Sequence, residues 1–308
     1  MPMKNRLPVA FICDRGYIMQ TSVAILSLIG SKDADTVPDI HIVTYGLDEA
    51  QERELLALGR EDAPVRIVRG DGCFSEDSFP LTESRYRVAM KAALLKFYLP
   101  RLLPELDRVL YLDGDIIVRR DLAGLGRIEL GDCLAAAVRD LPQVFYEKSL
   151  LGEGRDYFNS GVMILNLAQM RREGTSEKLI EARRAGADDN LMDQNVLNRV
   201  LAGRVLQLSF LYNVCCANLR RRWLRERMLD KLNSAYGTSF RSLSEIRSAA
   251  AILHYSSAEK PWKYFDIPAG GEWMEIYRQS ARGGRPLRRK CWLIREIELK
   301  IKAKLGRL

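Results

Sequence analysis

The chain has 308 residues, 47% of them apolar, with 48 Lys or Arg against 40 Asp or Glu and only two histidines. That length buries a substantial core as one large domain or two small ones, and the absence of any run of about 18 apolar residues excludes a membrane-crossing helix. The net charge of +8 is a property of one end: from Arg278 onward eleven Lys or Arg face only Glu296 and Glu298, so the first 277 residues are one charge negative overall.

Taken in chain order, short apolar β-branched runs alternate with amphipathic ones. "PVAFIC" from residue 8, "DIHIVTY" from 39 and "VRIV" from 65 read as strands, separated by helices at "TSVAILSLIG" and "DEAQERELLALG". "MKAALLKFYLPRLLP" from 90 is a helix that stops near Pro100 or Pro104, and "VLYLDGDIIV" at 109–118 reads as one buried strand. Strands follow at "CLAAAV", "SGVMILNL", "RVLQL" and "AAILHY", with helices between 176 and 200. "ARGGRP" at 281–286 reads as a hinge before the basic tail, giving two parts, 1–280 and 281–308. Alternating strands and helices predict an α/β fold, a mostly parallel sheet flanked by helices. The five-residue apolar run before Asp14 is too short for a signal peptide. Cys13, Cys73, Cys133, Cys215, Cys216 and Cys291 form no CxxC pair, so neither a zinc site nor a disulfide framework is expected, and a reducing cytosol fits best.

Asp113 and Asp115 flank Gly114 at the end of an apolar run, where unpaired carboxylates are costly. Residues at i and i+2 of an extended segment project to one side, so the two acids can converge on a cation, and Gly114 leaves room for a bulky anion. Oxygen ligands favour Mg²⁺ or Mn²⁺ with positions left for substrate phosphates, which implies a nucleoside diphosphate ligand. The competing reading is a surface turn. Asp14, directly after "VAFIC", lies at another strand end, the side on which open α/β sheets bind ligands.

Five segments in order, "FICDRGY", "KFYLPRLLPELDRVLYLDGDIIV", "YFNSGVMILNL", "MDQNVLN" and "HYSSAEKPW", resemble the retaining glycosyltransferases of family 8 over about Phe11 to Trp262. The resemblance implies the nucleotide-sugar-binding GT-A fold and transfer of a glucose or galactose from a UDP-sugar to an acceptor hydroxyl with configuration kept. It implies Asp113, Asp115 and His254 as ligands of Mn²⁺, with Mg²⁺ as the alternative; His41, inside a strand, reads as a core residue. Lys260 would hold the donor diphosphate. Asp14 and Tyr17 would hold the uracil, although Tyr17 also suits packing at a helix start. Asp140, Asn159, Asp193 and Gln194 would surround the donor sugar. Asp193 would also serve as a helix N-cap. Retention by attack from the leaving-group face and retention through a covalent intermediate both remain open; Gln194, Asp140 and Asp193 are the candidate nucleophiles. Three positions depart from the family pattern: Lys96 for Arg, Gly16 for Asn and Ser257 for Gly. They put donor affinity and donor identity in question.

Two rival classes remain. A metal-dependent nucleotidyltransferase would carry a basic, Gly-rich phosphate loop after the first strand, where "FICDRGY" has acidic and aromatic residues. A nucleic-acid binder would interleave aromatics with the basic tail, which has only Trp292, so no nucleic-acid partner is expected. Ile294, Ile297, Ile301, Leu305 and Leu308 instead form one stripe of a helix among one-sided positive charge, a pattern for an anionic membrane surface. The expected setting is the cytosolic face of the inner membrane, and the resemblance to family 8 implies a lipopolysaccharide or other cell-surface glycan, presented on a glycolipid, as acceptor.

Overall fold

A computed structural model describes residues 5–74, 87–140, 156–185, 192–219 and 225–304. The strands are β1 (Asn5–Asp14), β2 (Thr36–Tyr45), β3 (Val65–Arg69), β4 (Val109–Leu112), β5 (Ile116–Val118), β6 (Ala135–Arg139), β7 (Phe158–Leu165), β8 (Val205–Gln207), β9 (Val214–Cys215) and β10 (Ile252–His254). Seven of them form one sheet in the order β3-β2-β1-β4-β7-β6-β8. Within it β7 runs antiparallel to β4 and β6, and the other pairs are parallel. The mixed, mostly parallel sheet expected from the alternation of elements is therefore present, and the order reverses between β1 and β4. A separate three-stranded sheet has the order β5-β10-β9.

The stretch expected as one strand over 109–118 is two. Asp113–Asp115 is a turn, and the halves belong to different sheets. Asp113 N–H closes the large sheet by donating to Gly161 O (2.8 Å), and Asp115 O opens the small one by accepting from Tyr255 N (2.9 Å). Continuous apolarity cannot distinguish one strand from two buried ones.

Core packing follows the two faces of the large sheet. On one face, helix Ile18–Ser31 packs with the small sheet and helix Gly270–Gln279; Val23, Ala24, Ile25 and Leu28 join Phe11, Ile117, Ile252 and Trp273 there. On the other, Leu95, Phe97, Leu99, Tyr111, Met163, Leu179 and Leu197 form a second cluster. Full burial of each such side chain is worth about 1.5–3 kcal/mol. His41 is buried in β2 beside Asp39, in keeping with the core reading, and burial lowers its pKa.

The helix expected from residue 90 runs as Arg87–Leu94, a 3₁₀ turn Leu95–Tyr98 and a last turn Leu99–Leu102 that carries Pro100 near its start. The tighter turn buries four consecutive residues, Leu95 to Tyr98, and so carries Lys96 inward.

The "ARGGRP" segment makes contacts with the body. Arg282 makes a fork to Glu54 (2.6 and 2.7 Å), and Tyr277 OH lies 2.8 Å from Arg282 O and from Arg285 O. Beyond it, helix Trp292–Lys304 is capped by Asp266, which accepts from Trp292 N and Leu293 N. Trp292 inserts against Tyr264, with ring centroids 4.9 Å apart, and Leu299 packs on the core. The opposite face is bare: Ile294 is 60% exposed, Ile297 50% and Ile301 52%, with Leu293 beside them. Leu305 and Leu308 lie outside the described residues.

Candidate active site

The ends of β1, β4, β6 and β10 and the beginning of β7 meet at one edge, where the carboxylates of Asp113 and Asp115 face the His254 ring. His254 Nε2 lies 3.2 Å from Asp115 Oδ1 and 3.7 Å from Asp113 Oδ2. One ligand atom from each of the three falls within 4.8 Å of the others. The remaining polar atoms of the trio are already engaged. Asp113 Oδ1 accepts from Tyr111 OH (2.6 Å) and lies 3.2 Å from Lys96 Nζ. Asp115 Oδ2 accepts from Lys260 Nζ (2.5 Å), and His254 Nδ1 lies 2.8 Å from Asn213 Oδ1. Two carboxylate oxygens and one imidazole nitrogen are left turned toward each other. Oxygen and imidazole donors in that arrangement fit a divalent cation such as Mn²⁺ or Mg²⁺. Asp115 is 6% exposed; burial alone would push its carboxyl up, but Lys260 and His254 outweigh it and hold the pKa well below the usual range.

Glycines make this convergence possible. A Cβ on Gly161, in β7, would overlap the His254 ring and stand 2.8 Å from Asp113 Oδ2. A Cβ on Gly114 would stand 2.7 Å from Thr21 Oγ1 and 3.3 Å from Tyr17. Gly114 thus makes room for helix Ile18–Ser31.

Around the trio the expected site residues fall into three groups. Lys96, 5% exposed, donates to Asp193 Oδ2 (2.7 Å) and lies 3.3 Å from Ser160 Oγ and O. Burial opposes its charge, but Asp113 and Asp193 more than compensate and raise its pKa. Asp193 is the second residue of helix Met192–Val200 rather than its N-cap, and its Oδ2 also accepts from Ser160 Oγ (2.9 Å). The second group is a row of amides. Gln194 Oε1 accepts from Asn159 Nδ2 (3.2 Å) and Ser160 N (3.1 Å), while Gln194 Nε2 donates to Asp140 Oδ2 (3.0 Å). Burial raises the Asp140 pKa, against the Gln194 hydrogen bond.

The third group borders the first helix. Asp14, buried at the end of β1, accepts from Gly16 N (2.7 Å), and burial raises its pKa against that bond. Tyr17 packs edge-on to Trp262 at 6.2 Å; its hydroxyl pKa is raised by burial, then by the charges of Asp115, Asp113 and Asp14. Lys260 Nζ is held by Asp115 and by Tyr255 O (2.5 Å). Ser257 Oγ accepts from Glu259 N (3.1 Å) in a local turn.

Tyr111, Ser160, Gly161 and Asn213 enter the site without having been singled out in the sequence. Tyr111 was within reach of the i, i+2 rule from Asp113, and Ser160 and Gly161 sit inside "YFNSG". Asn213, in "FLYNVCC", had no signal in its surroundings.

An α/β sheet with acidic groups and a histidine gathered at its strand ends, beside a reversal in strand order, has the ligand-binding end of the open α/β class. The chain belongs to glycosyl transferase family 8, whose model matches residues 8–266. It is 27% identical to lipopolysaccharide 1,2-glucosyltransferase of Escherichia coli K12 over 285 residues, covering 89% of this chain and 78% of that protein. It is 31% identical to glycosyltransferase GlyA of Streptococcus pneumoniae over 194 residues, 59% of this chain but only 24% of GlyA's length. The galactosyltransferase LgtC, crystallised with donor and acceptor sugar analogues, superposes with a TM-score of 0.72 at 25% identity, covering 89% of this chain and 96% of LgtC. The fold is accordingly GT-A.

Proposed function

We propose that the protein transfers a hexose, glucose or galactose, from a UDP-sugar to a hydroxyl of a lipopolysaccharide or other cell-surface glycan, with retention and with Mn²⁺ as cofactor. The convergence of Asp113 Oδ2, Asp115 Oδ1 and His254 Nε2 carries the reading. A cation held there supplies positive charge against the departing diphosphate. Lys260, beside Asp115, adds a second positive charge on the leaving-group side. Asp14 and Tyr17 accept and stack the base. Asp193, Asn159 and Asp140 offer acceptors and donors to sugar hydroxyls, with Asp193 paired to Lys96 at 2.7 Å.

Gln194 Oε1 receives two N–H donors, which lowers its electron density as a nucleophile. The reading therefore favours attack by the acceptor from the leaving-group face, with the Asp140 carboxylate, oriented by Gln194 Nε2, stabilising the cationic sugar.

The C-terminal helix supports attachment to the cytosolic face of the inner membrane. Its apolar stripe points away from the body; Arg288, Arg289 and Lys290 lie just before the helix, and Arg295 and Lys300 on it pair with Glu298 and Glu296. Each basic residue near an anionic surface contributes about 1 kcal/mol. Among the described residues no helix is long and apolar enough to cross a membrane.

The test is a donor and acceptor screen with Mn²⁺ that measures released UDP, repeated in EDTA and with Asp115→Asn. Transfer from UDP-glucose or UDP-galactose that vanishes in EDTA, returns with Mn²⁺ and is lost in a folded Asp115→Asn variant is the expected result. Full activity of that variant in EDTA overturns the reading.

A further inference from the structure

We infer that Asn213 is a positioning residue: it fixes the His254 ring with Nε2 toward Asp113 and Asp115 and couples that ring to the amides of Asn159 and Gln194. The inference rests on the reading of Asp113, Asp115 and His254 as a cation site.

Backbone N–H groups, whose donor character is not in question, set the direction of the whole row. Gly161 N donates to Asn159 Oδ1 (3.0 Å), so that atom is the acceptor of the Asn159 amide. Asn213 must then present its NH₂ to the same oxygen, which it does at 2.9 Å. Its own oxygen is left 2.8 Å from His254 Nδ1. An amide oxygen only accepts, so Nδ1 carries a hydrogen, and Nε2, on the side of the carboxylates, is the ring nitrogen left to ligate a cation. The far end of the row is fixed in the same way. Ser160 N donates to Gln194 Oε1 (3.1 Å), which agrees with Asn159 Nδ2 donating to that oxygen and leaves the Gln194 NH₂ for Asp140. No amide in the row can turn over without setting two acceptors or two donors against each other.

Asn213 is 1% exposed, at the end of a 3₁₀ turn Phe210–Tyr212, and its N–H is held by Phe210 O (3.0 Å). Its side chain is thus placed by the backbone that enters β9, the strand paired in parallel with the His254 strand. A polar side chain so buried costs stability unless both its ends are bonded, and here both are.

Partners that orient a ligating histidine typically change metal affinity about 10–100-fold when removed. Asn213→Ala is therefore expected to weaken Mn²⁺ binding by about 10–100-fold in a titration of the full chain followed by the electron paramagnetic resonance of free Mn²⁺. Asn213→Asp keeps an acceptor for Nδ1–H but places an oxygen against Asn159 Oδ1. It should recover most of the Mn²⁺ affinity while raising the donor KM. Unaltered Mn²⁺ affinity in Asn213→Ala, or equal loss in both variants, overturns the inference. A measurement on the unsubstituted protein guards against misfolding of the variants. With two histidines in the chain, ¹⁵N-histidine NMR resolves His254 from His41. In Mg²⁺-saturated protein, a slowly exchanging hydrogen on His254 Nδ1 supports the inference and one on Nε2 overturns it. Should the unsubstituted protein take up no Mn²⁺, the cation reading fails, and the tautomer in the metal-free protein alone decides on Asn213.

Discussion

Lys96→Met nearly keeps the side chain's length and removes its charge. The ammonium lies 2.7 Å from Asp193 Oδ2 and 3.2 Å from Asp113 Oδ1, in a pocket where Lys96 is 5% and Asp193 7% exposed. In the variant Asp193 keeps the Ser160 hydroxyl but loses its counter-charge. Breaking a buried pair by removing one partner costs about 3–5 kcal/mol. At about 2–3 °C per kcal/mol for a large domain, the melting temperature should fall on the order of 6–15 °C at neutral pH. Lys96→Met/Asp193→Asn, which removes both charges, should regain more than half of that. The Lys96 pKa is raised in the fold, so the wild-type contribution is complete below the usual lysine range near about 10.4 and is lost only as pH rises through the folded value. The variant's deficit should instead shrink in acid, where an unpaired carboxylate takes up a proton. Differential scanning calorimetry of wild type, single and double variants at two pH values measures all of this. A double variant no more stable than the single one would refute the argument. Lys96→Arg, despite restoring the more usual family residue, adds atoms to a filled pocket and should cost about 1–3 kcal/mol.

Gly161→Ala forces the His254 ring off β7 and should cost most of the Mn²⁺ affinity and transfer activity while circular dichroism stays native; normal Mn²⁺ binding would show the approach to be slack. Burial raises the Asp140 pKa, so its ionisation destabilises the fold as pH rises through that value, and Asp140→Asn should be more stable than wild type at neutral pH and no different below about 3.9. A lower melting temperature for Asp140→Asn at neutral pH would contradict that. Ile294→Glu, Ile297→Glu and Ile301→Glu together leave Trp292 and Leu299 in place, so transfer to a soluble acceptor should persist while salt-sensitive binding to anionic vesicles is lost; retained binding would remove the stripe from membrane attachment.

The elements and the polar site residues left different traces in the sequence. β1, β2 and β7 are apolar runs bounded by turns, and helix Glu49–Leu56 begins with a capping box in which Asp48 and Gln51 exchange hydrogen bonds. Local pattern suffices for these. The split of 109–118 between two sheets was hidden because either sheet buries its strand equally. Asp113, Asp115 and His254 were legible as a motif whose members lie 2 and 139 residues apart. Asn213 was not, because an asparagine gains its meaning only from what stands across from it. Gly161 stood within a recognised segment, yet its reason is the ring of a residue 93 positions later.

The Asp-Gly-Asp turn is also a joint. Asp113 hangs from the last hydrogen bond of the large sheet, whereas Asp115 precedes β5 and His254 ends β10 in the small one. A cation bound by all three would rivet two sheets that share no strand. Its binding free energy, about 2.7 kcal/mol at a concentration one hundred times Kd, would be added to the cohesion of the seam itself. Taking up a cation and fastening the two sheets would then be one event.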